Sequence, residues 1–103
     1  MKVLEQTTTD EARAVALLRA LANPVRFRIV QVLAARRECV VGDLVEAFPL
    51  AQSTISEHLK VLKDAGIVTG TIEGPNRCYC IDPQSLRFLS ETLQSLSAED
   101  CCT

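Results

Sequence analysis

Two sets of side chains in this sequence have types and spacings that could do chemistry. The first is Gln52, Ser53, Thr54, Ser56 and Lys60, a cluster of amide, hydroxyl and ammonium groups at the start of the stretch from Gln52 to Gly66. In that stretch Ile55, Leu59, Leu62 and Ala65 recur at helical spacing, and about 100° of rotation per residue gathers them on one side. Gln52, Ser53, Ser56, Lys60 and Lys63 fall opposite. Donors and acceptors near the positive end of a helix dipole suit a phosphate edge or the major groove of a duplex. An ordinary amphipathic surface helix gives the same wheel, so the pattern alone leaves both readings open. The second set is five cysteines, Cys39, Cys78, Cys80, Cys101 and Cys102. An odd number in a chain without an export signal argues against a disulfide framework, and reduced thiols are expected. Cys101 and Cys102 are adjacent, which strains an intrachain disulfide between them. Cys78 and Cys80 alternate onto one face of a strand with Cα atoms about 6.6 Å apart, near the upper limit for a disulfide.

Elements that position these groups follow from the rest of the chain. Its 103 residues support one domain with one core. Residues 1–8 are expected to form a flexible N-terminus and residues 97–103 a cysteine-bearing tail. Thr8-Thr9-Asp10-Glu11 offers a capping box for a first helix running to about Ala22, with Val15, Leu18, Leu21 and Ala22 at helical spacing. Asn23-Pro24 restarts the chain, with Asn23 as cap and Pro24 at the first helical position. Phe27, Val30, Leu33 and Ala34 are expected on the buried side of this second helix, and Arg26, Arg28, Arg36 and Arg37 on the wet side. A short third helix is expected from about Val41 to Phe48, with Leu44, Val45 and Phe48 inward, ended by Pro49. That order, a short helix, a break and a helix with a polar N-terminal face, is the order of a helix-turn-helix. Gly66 sits where a left-handed residue closes a helix. Ile67 to Glu73, the turn Gly74-Pro75-Asn76 and Arg77 to Ile81 then read as a hairpin. Asp82-Pro83 caps a last helix in which Leu86, Leu89, Leu93 and Leu96 recur at spacings of three, four and three, a stripe that calls for a partner helix.

Composition narrows the function classes. A formal charge of −2 argues against an indiscriminate nucleic-acid binder. A DNA function would rest on local clusters such as Lys60, Lys63 and Arg77, doubled in a dimer. No apolar run approaches the ~18 residues of a membrane span, and the N-terminus lacks a signal-peptide core. A cytoplasmic protein without a membrane partner is expected. Enzymatic chemistry is not expected: His58 is the only histidine, no glycine loop could cradle a phosphate, and no carboxylate pair has a reason to converge.

With Leu21-Ala22-Asn23-Pro24-Val25-Arg26, Cys39-Val40-Val41-Gly42-Asp43-Leu44 and Ser53-Thr54-Ile55-Ser56-Glu57-His58-Leu59-Lys60-Val61-Leu62-Lys63-Asp64-Ala65-Gly66-Ile67-Val68, the chain resembles the ArsR/SmtB family of metal-sensing bacterial repressors. The resemblance covers about Leu17 to Leu89. It implies a mainly α winged helix-turn-helix fold with a β-hairpin wing, homodimeric through the first and last helices. It further implies a repressor that binds double-stranded operator DNA and lets go when an effector binds. Two features depart from the family. Arsenic-sensing members carry Cys-Val-Cys-Asp-Leu at the third helix, where this chain has Val41 at the second cysteine position. The last helix lacks the histidines of a zinc-type site, so a multi-histidine zinc or nickel site is set aside.

On this reading Gln52, Ser53, Thr54, Ser56, Lys60 and Arg77 are the candidate DNA contacts. Gln52 could pair bidentately with adenine, and the serines could bond base edges or phosphate. Capping is the competing role for Ser53, and turn formation for Asn76, which accompanies Arg77 in the wing. Glu57 would repel phosphate unless it accepts from a cytosine amine, and His58 falls on the flank of the apolar arc, toward the core. Trivalent arsenic or antimony is a soft centre that needs two or three converging thiolates. Cys101 and Cys102 supply two, and Cys39, at the surviving family ligand position, is the best third. Cys78 and Cys80 are secondary candidates, with packing under the wing as their alternative. Two competing functions share these features: a thiol redox switch on the same fold, and a dimerisation module that uses the polar helix face for a protein partner.

Overall fold

Polar side chains start the first, second and last helices where the sequence predicts. In the computed structural model, which describes residues 8–36, 40–41, 48–71 and 77–97, Thr8 Oγ1 accepts from the Glu11 N–H at 3.0 Å and opens helix α1, Thr9–Leu21. Asn23 Oδ1 then accepts from the N–H groups of Val25 and Arg26 at 2.9 and 3.1 Å, with Pro24 at the first position of α2, Pro24–Ala34. Helix α3 spans Gln52–Asp64. Helix α4 spans Pro83–Ser95, with the Asp82 carboxylate accepting from the Gln84 N–H at 3.0 Å. Each cap satisfies backbone donors that the first turn of a helix leaves unpaired.

The core takes Ala14, Leu17 and Ala20 from α1, Ile29, Val30 and Leu33 from α2, and Ile55, Leu59 and Leu62 from α3. Ile67, Val68, Tyr79 and Leu89 complete it. Two assignments from periodicity are corrected. On α1 the sequence favours Val15, Leu18, Leu21 and Ala22 as the buried stripe, yet Val15 and Leu18 are 44% and 43% exposed. That helix carries two neighbouring apolar stripes, and the one with Ala14 and Ala20 lets the backbone approach the other helices closely while Leu17 fills the space between. On α2, Phe27 is 51% exposed and Ala34 lies at the surface. Helical rotation puts Phe27 about 160° round from Ile29, which takes the inward place.

Arg26, predicted to be solvated, is instead half-buried. Its Nε donates to the Ala20 carbonyl at 2.6 Å and its Nη2 to the Arg19 carbonyl at 3.4 Å, while Nη1 lies 3.4 Å from His58 Nδ1. A guanidinium only donates, so the facing ring nitrogen accepts. One cation therefore caps the C-terminal carbonyls of α1 and reaches α3 from α2. His58 is half-buried on the flank of the apolar arc, as its wheel position predicts.

Strands complete the fold. Strand β1, Val40–Val41, β2, Val68–Thr71, and β3, Cys78–Ile81, form an antiparallel sheet in the order β1-β3-β2. Val40 pairs with Tyr79 and Val41 with Cys78, which corrects the placement of Val41 at the start of a helix: two adjacent β-branched residues find a strand edge to pair with. Residues 42–47, including Leu44 and Val45, fall outside the described residues, whereas Phe48 and Leu50 are half-buried against the core. Strands β2 and β3 make the wing in the register Val68↔Ile81 to Thr71↔Cys78. Its turn, Gly74-Pro75-Asn76, lies outside the described residues.

The wing is tied to the helices at several points. Gly66, at φ 90°, closes α3 with its N–H on the Lys63 carbonyl, and the Ile67 N–H reaches the Leu62 carbonyl, both at 2.9 Å. Buried Ser85 on α4 donates to the Gly66 carbonyl at 2.6 Å, and the Asp82 N–H donates to the Ile67 carbonyl at 2.8 Å. Lys63 Nζ donates to the Gly70 carbonyl at 2.6 Å. Gly70 has φ 114°, and a Cβ there would overlap the Cys78 carbonyl across the ladder.

These contacts set two expectations for stability. Gly70→Ala forces a side chain into a left-handed position with no room for it, and should cost about 2 kcal/mol or more. Hydrogen exchange should show the loss concentrated in β2 and β3, with α1 and α2 still protected; uniform loss would contradict the assignment. Arg26→Met removes all the donors at once and should cost about 2–3 kcal/mol in urea melts. His58→Ala, which leaves both carbonyl bonds to Arg26 intact, should cost about 1 kcal/mol; equal losses would mean that the carbonyl bonds contribute little.

Candidate nucleic-acid interface and thiol residues

Helix α3 presents two faces. Ile55, Leu59 and Leu62 are buried, whereas Gln52, Ser53, Glu57, Lys60 and Lys63 are exposed and Thr54 and Ser56 half-buried. Ala51 is the N-cap and makes no side-chain cap bond. Ser53 is therefore not the cap, and its hydroxyl stands at the surface in the first turn. Of the predicted contact residues of α3, Gln52, Ser53, Ser56 and Lys60 share one polar arc and Thr54 falls between the arcs; the first two stand in the first turn, where unpaired N–H groups and the dipole favour negative charge.

Arg77, immediately before β3, is half-buried. With the Gln52 amide oriented so that its oxygen faces the guanidinium, Oε1 accepts from both Arg77 Nη1 and Nη2. The structure therefore brings together the two candidate contacts that are farthest apart in sequence. Lys63, grouped by sequence with Lys60 and Arg77 as a phosphate-binding cluster, has its ammonium on the Gly70 carbonyl and serves to hold the wing to α3. Lys60 remains exposed. Arg26 escaped the sequence reading as a site-positioning residue, although its wheel position, between Leu33 and Val30, was the signal for it.

An apolar surface lies on the far side of the fold. Val15 and Leu18 of α1 and Leu93 and Leu96 of α4 are all exposed, Leu96 to 74%. Helices α1 and α4 pack against each other, with the Arg13 guanidinium 4.3 Å above the centre of the Phe88 ring. Exposed leucines at helical spacing on two adjoining helices are the kind of surface that another helix covers.

Of the five cysteines, Cys39, Cys101 and Cys102 lie outside the described residues. Cys78 is disulfide-bonded and Cys80 is free. The two do not pair with one another, and the expectation of reduced thiols throughout is corrected at Cys78. Cys80 is half-buried, with its sulfur 3.5 Å from Thr69 Oγ1. It lines an open groove with Leu33, Ala34, Arg36, Ile81, Pro83 and Leu86. Buried Tyr79 separates Cys78 and Cys80 on the strand, in agreement with their predicted alternation. Among the described residues no group of three or more histidine, cysteine or carboxylate side chains converges as a metal site, and none of their helices is long and apolar enough to cross a membrane.

Comparison with known proteins gives a consistent picture. Residues 23–69 match the family model described as bacterial regulatory protein, arsR family. Over 84 residues the chain is 49% identical to the HTH-type transcriptional repressor SmtB of Mycobacterium tuberculosis strain H37Rv, covering 82% of this chain and 62% of that protein. It is also 36% identical over 84 residues to the arsenical resistance operon repressor of Bacillus subtilis strain 168, covering 82% and 74%. The solved structure of reduced HlyU from Vibrio cholerae N16961 matches with a TM-score of 0.63 and 28% identity, over 96% of this chain and 100% of that one. The chain thus spans about three fifths of the length of the mycobacterial repressor. The element order, the polar-faced α3 beside a β-hairpin wing and these matches agree: the chain is a winged helix-turn-helix protein belonging to the arsR family of bacterial regulatory proteins, which are regulators and not enzymes.

Proposed function

We propose that the protein is a homodimeric, cytoplasmic repressor of a metalloid resistance operon, which binds operator DNA and releases it when trivalent arsenic or antimony binds cysteine thiolates. The observation that carries the DNA reading is the arc of Gln52, Ser53, Ser56 and Lys60 at the uncapped start of α3, with Arg77 alongside from the wing. The exposed stripe of Val15, Leu18, Leu93 and Leu96 supports a second copy docked on α1 and α4. Such a dimer doubles a modest set of phosphate contacts in a chain of net charge −2. Its two recognition helices would have to stand about 34 Å apart to enter successive major grooves on one side of a duplex.

The arsenical reading rests on thiol chemistry and on the Bacillus relative. Cys101 and Cys102, with Cys39 as third ligand and Cys80 and, once its disulfide is reduced, Cys78 as secondary candidates, are the soft donors of this chain. Methylated trivalent arsenicals belong to the same ligand class. The effector must bind the DNA-incompetent dimer more tightly than the competent one, and each tenfold difference corresponds to about 1.4 kcal/mol of coupling. A second reading is favoured by the disulfide at Cys78: a thiol redox switch on the same fold. Two thiols would join as a disulfide, giving up two protons and two electrons to an oxidant such as peroxide, which is reduced to water.

Fluorescence anisotropy on a palindromic fragment of the protein's own promoter tests these readings. Ser56→Ala combined with Lys60→Ala should weaken binding about tenfold or more and lower the salt dependence by about one phosphate contact; unchanged affinity would remove α3 from the interface. Arsenite in excess reductant should release wild-type protein, and Cys101→Ser and Cys102→Ser should each blunt that release. Release by peroxide but not by arsenite would establish the redox reading. Metalloid release that survives both serine substitutions would place the thiol site elsewhere.

A further inference from the structure

A glutamine amide offers a reading partner both an acceptor and a donor, and which of them faces outward decides what it can read. In this structure the choice is made by the wing. A guanidinium carries only donors, so Arg77 can address only the carbonyl oxygen of Gln52. With the Gln52 amide turned so that its oxygen faces the wing, both terminal nitrogens of Arg77 donate to it. Gln52 is the first residue of α3 and is exposed, so turning its oxygen toward the wing leaves the NH2 group, with two donors, on the outer side.

We infer that Arg77 is a specificity-determining residue that acts through Gln52, converting it from an adenine reader into a reader of acceptor edges, guanine above all. The inference rests on the DNA-binding reading above. Bidentate recognition of adenine needs one amide to donate to N7 and accept from the N6 amine at the same time. With its oxygen engaged by a charge-assisted bond, Gln52 has only donors to present. Guanine O6 and N7 are adjacent acceptors in the major groove, and thymine O4 is a single one. This alters the pairing with adenine that the sequence alone suggests for Gln52.

The pairing is not an accident of one flexible side chain, because α3 and the wing are joined at a second point. Lys63, near the other end of α3, donates to the Gly70 carbonyl of β2, and Gly70 pairs with Tyr79, two residues beyond Arg77. Wing and recognition helix are thereby held together near both ends of the helix, and Arg77 stays within reach of Gln52 when both approach a duplex. Ala51, the cap residue, offers no side chain that could compete for the amide.

The test is selection and sequencing of bound duplexes from a library randomised across each half-site, for wild-type protein and for the Arg77→Met, Gln52→Ala and doubly substituted variants. Thermal melts confirm that each variant is folded. Wild-type protein should prefer guanine over adenine about tenfold at one position of each half-site, the discrimination expected of a single good base contact. Arg77→Met should reverse that preference toward adenine by a similar factor while leaving the other positions unchanged. Gln52→Ala should flatten the same position whether or not Arg77 is present. An Arg77→Met protein that binds every sequence more weakly with unaltered preferences would make Arg77 a phosphate contact alone and overturn the proposal. A wild-type preference for adenine at the Gln52 position would overturn it as well. Wild-type protein that enriches no sequence at all would instead sink the DNA-binding reading on which the proposal rests.

Discussion

The last carbonyls of an α-helix have no partner within the helix, and at the end of α1 they are met by one arginine. Arg26 directs its guanidinium to the Ala20 and Arg19 carbonyls and to His58 of α3. A cation at the negative end of a helix is favoured by the dipole as well as by the hydrogen bonds. Because Asn23 caps α2 through the N–H of Arg26 itself, the residue that helps to start one helix also ends its predecessor and steadies a third. At α3 this junction adds a directional contact to the packing of Ile55, Leu59 and Leu62, which is non-directional by itself.

Further along, the wing is not an appendage. Ser85 holds the Gly66 carbonyl from α4, and Asp82 both caps α4 and donates its N–H to the Ile67 carbonyl. Lys63 ties the end of α3 to Gly70 in β2. The polar groups at the turn between α3 and β2 are thus answered by groups from another part of the chain. Ser85 and Asp82 thereby fasten α4, which carries part of the apolar surface proposed for the second copy, to the α3–β2 turn. The surface proposed for a second copy and the end of α3 are therefore joined by hydrogen bonds.

Features governed by local chemistry were legible in the sequence. Thr8, Asn23, Asp82 and Gly66 act as caps and closers because the groups they satisfy lie within a few residues. The polar and apolar arcs of α3 follow from periodicity alone. Features governed by tertiary competition were not legible. Helix α1 has two apolar stripes, and only its packing against α2, α3 and α4 decides that Ala14, Leu17 and Ala20 face inward while Val15 and Leu18 do not. Val40–Val41 becomes a strand because β3 has an edge for it. The prior that arginines stay wet hid Arg26. The bond between Gln52 and Arg77 joins residues that only the folded wing brings together. For the thiols, chemistry narrows the donor set, but Cys39, Cys101 and Cys102 lie outside the described residues, and the ligand set stands on the sequence argument.

Lys63 has a consequence beyond the geometry of the wing. By holding its ammonium against a backbone carbonyl, the fold fixes the place of an exposed positive charge that a free lysine would carry over a wide arc of surface. Sequence-independent attraction scales with the number of phosphates neutralised, and a genome presents about a million or more competing sites. A cation fixed beside the wing meets a phosphate only in the register that the wing allows, so its attraction acts with the fold's geometry and not apart from it.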